Sequence, residues 1–176
     1  MITKLFTSLI IITLVSGQNS ATINSSIKTA KMLERTGDIN GAISIYEGIL
    51  LKTPNQHQSI QNLKSLYKNN LQYKEGIQFL RKQLSIFPND LKTYAELGEF
   101  HLLNGQELEA KSVWSAGLDK FKVNRSFFRI MLSIYGKHGL DEEIVKLLKK
   151  GRNTFGKQFL AYEAGIYYQN RRVYDK

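Results

Sequence analysis

One stretch constrains this chain more than any other: Gly41-Ala42-Ile43-Ser44-Ile45-Tyr46-Glu47-Gly48-Ile49-Leu50-Leu51-Lys52-Thr53-Pro54. Ile39, Ala42, Ile43, Tyr46, Ile49 and Leu50 recur at the spacing of one helix face, and the proline closes the run. A comparable stretch closes at Pro88, 34 residues after Pro54. The same offset places Tyr94, Leu97, Gly98 and His101 beneath Ile60, Leu63, Lys64 and Tyr67. Two such steps carry Ala42 to Ala110 and Tyr46 to Trp114. A fixed period of this length predicts stacked supersecondary units, because one unit cannot bury its apolar face alone.

The period and these small and aromatic positions resemble the tetratricopeptide repeat (TPR) family. The resemblance covers about residues 23 to 176 and is most specific from 23 to 124. It implies an all-α fold, a right-handed superhelical solenoid of antiparallel helix hairpins. The expected repeats are about 23–56, 57–90, 91–124, 125–157 and a partial fifth, 158–176. Four hairpins and one further helix make nine helices. Asp38 and Asp90 are placed to cap helices. Ala30 and Ala42 sit where paired helices approach closely, and Lys64 interrupts the small-residue rule, its ammonium expected in water. Leu132 and Ile144 are bulky at the corresponding places, so the fourth pair is expected to splay. The fifth repeat stops before its second helix, which predicts the N-terminal part of a longer protein; the alternative is a terminal capping helix.

The N-terminus predicts export. Lys4 precedes Leu5–Val15, a nearly all-apolar run too short to span a ~30 Å hydrocarbon core, and Val15-Ser16-Gly17 suits a signal peptidase. Residues 1–17 are therefore expected to be a cleaved signal peptide, with 18–176 as the repeat domain and no membrane span left in it. The localisation expected is the periplasm or cell envelope. The absence of cysteine excludes disulfides and a cysteine nucleophile. Lys and Arg outnumber Asp and Glu by 25 to 15, a balance open to acidic partners, nucleic acid or anionic membrane.

No catalytic constellation emerges, so no enzyme and no cofactor is expected. Gly151-Arg152-Asn153-Thr154-Phe155-Gly156-Lys157 fits the first part of a phosphate-binding loop, but Gln158 stands where Ser or Thr would bind Mg²⁺. It reads as a helix end and a turn. His57, His101 and His138 lie in separate repeats without the converging ligands a metal needs. Glu96, Glu99, Glu107 and Glu109 read as solvated helix faces rather than an acid–base pair. Trp114 and the tyrosines recur at helical spacing, as a core does. Asn24 and Asn124 head glycosylation sequons, relevant only in a eukaryotic host.

The resemblance further implies that the first helix of each repeat lines a concave groove that binds peptides or proteins. Its usual groove positions fall here on Lys31, Arg35, Gln61, Lys68, Lys92, Glu99, Arg129 and Lys137. The basic excess among them favours an acidic segment; the alternative is that these charges only keep the surface soluble. The carboxylate clamp of some family members does not fit, since Ile27, Lys31 and Glu96 occupy three of its places. The expected function is an exported, non-enzymatic scaffold that binds a protein or peptide. The alternatives are a nucleic-acid-binding helical repeat protein, which the signal sequence and the 34-residue spacing oppose, or the non-catalytic N-terminal region of a larger enzyme.

Overall fold

The computed structural model describes residues 20–170. The signal peptide expected at 1–17, and the last six residues of the partial fifth repeat, lie outside them. All regular structure among the described residues is helical. Helix α1 covers 20–36, followed by α2 (Ile39–Lys52), α3 (His57–Asn69), α4 (Tyr73–Ile86), α5 (Leu91–Leu103), α6 (Glu107–Lys120), α7 (Arg125–His138), α8 (Asp141–Phe155) and α9 (Ala161–Asn170). The nine expected helices are present among the described residues. They form two compact units that divide between Gln72 and Tyr73.

The helix boundaries follow local chemistry. The Asp38 carboxylate accepts from the Gly41 amide at 2.9 Å, and Asp90 accepts from Lys92 and Thr93 at 3.0 and 3.5 Å, satisfying amides that have no carbonyl one turn back. Asn124 caps α7 in the same way through the Phe127 amide, so its side chain is spent on the fold. The chain turns out of α1, α3, α5 and α7 through a left-handed residue every 34 positions: Gly37, Leu71, Gly105 and Gly139, with φ of 86°, 58°, 74° and 66°. The repeat is thus written in the backbone as well as in the side chains. Leu71 departs from glycine at a conformation that costs a side chain about 1–2 kcal/mol.

In the first unit, Ala30 of α1 and Ala42 of α2 are both fully buried. Tyr46 ties three helices together: its hydroxyl donates to Glu34 of α1 at 2.6 Å and accepts from Asn62 of α3 at 2.8 Å. Lys64 is only 6% exposed, so the stem that interrupts the small-residue rule is packed inside the first unit. It stands one 34-residue period after Ala30, at the position where small residues are expected.

In the second unit, the core runs from Ala95 and Trp114 through Phe127, Phe128, Met131 and Tyr135 to Leu147, Phe159 and Ala164. Gly98 and Ala110 bring α5 and α6 together, and the Trp114 indole lies against Gly98 and donates to the Ala95 carbonyl at 2.9 Å. The expected splaying of α7 from α8 is moderated. Leu132 and Ile144 are buried, at 6% and 0% exposure, and the two helices still pack, though less closely than α5 and α6. The segment 151–157 is a helix end and a turn: Gly151 lies inside α8, Gly156 caps it, and no strand precedes. Phe128 and Phe159 lie directly against Gly151.

Candidate partner-binding site

The expected groove residues divide between the units. Lys31 and Arg35 lie one turn apart on α1, both exposed, and neither is held by an ion pair among the described residues. Gln61 and Lys68, on α3, are half-buried. In the second unit, Lys92 is exposed in the first turn of α5, with its ammonium likewise uncommitted.

The remaining three are engaged within the protein. Glu99 is 4% exposed, and one of its oxygens accepts from Lys137 Nζ at 2.8 Å and lies 2.8 Å from His138 Nε2. It is therefore a buried tie between α5 and the end of α7, neither a solvated face nor a free contact for a partner. The pairing spans 38 and 39 residues of sequence, beyond any helical periodicity. Arg129 Nε donates to Glu163 of α9 at 3.0 Å. A hydrogen bond from its own backbone, and then Arg129, hold the Glu163 carboxyl below its ordinary value. Of the expected cations, Lys31, Arg35 and Lys92 are left to meet an outside partner without first breaking an internal ion pair.

His101 takes the place tyrosine holds one period earlier. The Tyr67 hydroxyl donates to Glu47 at 2.9 Å, whereas the buried His101 ring lies 3.4 Å from an Arg81 nitrogen and 2.9 Å from Gln106 Oε1. Both reach back to the preceding helix across 20 residues, so His101 is a core residue. Trp114, stacked edge-on to Tyr135 at 5.2 Å, is core as well. Among the described residues no three potential metal ligands converge, and no helix is long and apolar enough to cross a membrane.

One cluster escaped the sequence reading. Arg125 and Arg129, one turn apart on α7, both lie over Phe159, at 5.7 and 5.8 Å from the ring centre, and Arg125 is also 5.3 Å from that of Phe155. With Lys157 and Tyr162 they line an open hollow of about 490 Å³. The signal was present as two one-turn pairs, Arg125/Arg129 and Phe155/Phe159, but they sit 30 residues apart and neither is diagnostic alone.

These hairpins are those of TPR-like repeats. The chain is similar to a MamA protein crystal structure (17% identity, 88% of this chain and 85% of that one covered, TM-score 0.50). It is similar also to the nearly identical TPR-like repeats of a putative kinesin light chain from Podosopora anserina (20% identity, 77% and 76% covered, TM-score 0.54). A third likeness is to MamA from residue 41 onward of Desulfovibrio magneticus RS-1 (13% identity, 88% and 97% covered, TM-score 0.51). At these identities the likeness defines the fold. No family model and no curated protein matches the chain.

Proposed function

We propose that this protein is an exported, non-enzymatic scaffold that binds a protein or peptide in the periplasm or cell envelope, along the concave faces lined by the first helices of its repeats. The observation that carries this reading is the uncommitted set Lys31, Arg35 and Lys92, on α1 and α5, in a fold of TPR-like hairpins. Cations with no internal partner keep their full field, and such cations steer an acidic segment and set its orientation. The apolar stretch after Lys4 supports export.

Affinity capture tests the reading. The tagged mature protein, incubated with envelope extract at low salt, recovers a protein that elutes as salt rises, and nuclease treatment leaves the yield unchanged. If RNA competes as well as protein does, the nucleic-acid reading replaces this one. N-terminal sequencing of the exported product gives Gln18 first; an intact Met1 on a cytosolic product removes the export part of the proposal.

A further inference from the structure

The hollow beside Phe159 holds an imbalance of charge. Arg125 and Arg129 converge on one phenyl ring, and like charges this close repel unless an anion lies between them. Glu163 answers Arg129 at 3.0 Å. Among the described residues no acid answers Arg125, which lies over the rings of Phe155 and Phe159, and none answers Lys157 at the rim. Stacking uses the face of a guanidinium and leaves its N–H edge free to donate to a carboxylate.

The ring is held in place from below. Phe155, Phe159 and the fully buried Phe128 pack against one another with centres 4.5, 5.2 and 6.0 Å apart, and the bare backbone at Gly151 receives the edges of Phe128 and Phe159. The floor is therefore fixed and aromatic, and the cations stand on it. Tyr162, 77% exposed, forms part of the rim. The arrangement offers an anion site directly beside an apolar surface, in a space that takes a side chain or two.

The chemistry of the anion is indicated from within. Arg129 already holds a carboxylate while lying over Phe159. Arg125 lies over the same ring at nearly the same distance without one. We propose that the hollow between the start of α7 and the α8–α9 turn is a binding pocket for an acidic side chain of a partner peptide, its carboxylate on Arg125 and Lys157 and an adjacent aromatic or apolar residue on Phe159 and Tyr162. The residues that line the pocket do not include Lys31, Arg35 or Lys92, and they are not those of the family's carboxylate clamp. It rests on the reading of the partner as a protein with an acidic segment.

The test is a titration of the full chain with N-acetyl-glutamyl-phenylalaninamide, followed by NMR at the Arg125 Nε–H and Phe159 ring protons and by calorimetry. Saturable shifts at both groups are expected, with the glutaminyl counterpart weaker by about tenfold or more, ~1.4 kcal/mol. Arg125→Gln and Lys157→Gln each weaken binding, Glu163→Gln strengthens it by releasing Arg129, and Lys149→Gln on α8 leaves it unchanged. Lys157 is exposed on a turn, so its variant keeps the test valid if Arg125→Gln folds poorly. Equal binding of the glutaminyl form, indifference to both Arg125→Gln and Lys157→Gln, or tighter binding of inorganic phosphate than of the dipeptide overturns the proposal. The titration reads this pocket alone, so it separates from any failure of capture at the α1 and α5 cations.

Discussion

Trp114 lies on Gly98: an added Cβ at position 98 would collide with the indole around Nε1. The contact lets α5 and α6 close until the indole N–H reaches the Ala95 carbonyl at 2.9 Å, which satisfies this buried donor. The best-matched repeat of the chain is therefore organised by one absent side chain.

Gly98→Ala is expected to destabilise the second unit by about 1–3 kcal/mol, the usual cost of overpacking. Because Trp114 is the single tryptophan, its fluorescence reports the change directly. Wild-type emission and an unchanged melting temperature would mean that the α5–α6 contact is misplaced.

Leu71 predicts the opposite sign. It holds φ of 58° where Gly37, Gly105 and Gly139 stand one or two periods away, and its side chain is 71% exposed. Leu71→Gly removes left-handed strain, loses little packing and gives back part of the gain as unfolded-state entropy. A net stabilisation of about 0.5–1 kcal/mol is expected in denaturant unfolding. A destabilised variant would contradict the backbone assignment.

Tyr135 sets a limit on the alkaline side. Burial first, and then the Glu143 charge, push its hydroxyl up from the ordinary tyrosine value. The neutral form is thus favoured in the folded state, so this contribution to stability is complete below the unfolded pKa near 10 and is lost as pH rises above it. Tyr135→Phe, which deletes that ionisation, is expected to move alkaline unfolding to higher pH. An unmoved transition would show that Tyr135 is not buried in the folded state.

Glu99 separates stability from binding. Glu99→Gln loses charge-assisted bonds to Lys137 and His138, at a cost of about 1–3 kcal/mol. It also releases the Lys137 ammonium, which adds an uncommitted cation to the α7 end. Weaker folding together with tighter capture of an acidic partner is the expected pair of results, read by calorimetry and pull-down. Equal loss of both would make Glu99 a structural tie alone.

The repeat was legible in the sequence because it is enforced locally. Ala42 and Ala110 are buried at the crossings where spacing placed them, and Asp38 and Asp90 cap the helices expected of them. Contacts between helices were not legible in the same way. Glu99 reads as one more acid on a polar face, because Lys137 and His138 reach it from the next hairpin. Lys64 stands where a small residue was expected, and composition alone does not reveal that so long a side chain is buried there. Arg125 is buried in no pattern at all; only the fold brings it to the ring that Arg129 also covers.

The central claim, that binding resides on the first-helix cations, is tested most directly by matched charge reversal. The affinity of a labelled peptide of alternating Glu and Ala is measured at low salt for three proteins. One is wild type, one carries Lys31→Glu with Arg35→Glu on α1, and one carries Lys149→Glu with Arg152→Glu on the exposed side of α8. Both variants change net charge equally, so bulk electrostatics cancels in the comparison. The account predicts that the α1 pair weakens binding by about tenfold, ~1.4 kcal/mol, while the α8 pair changes it little. Equal weakening by the two pairs would contradict it.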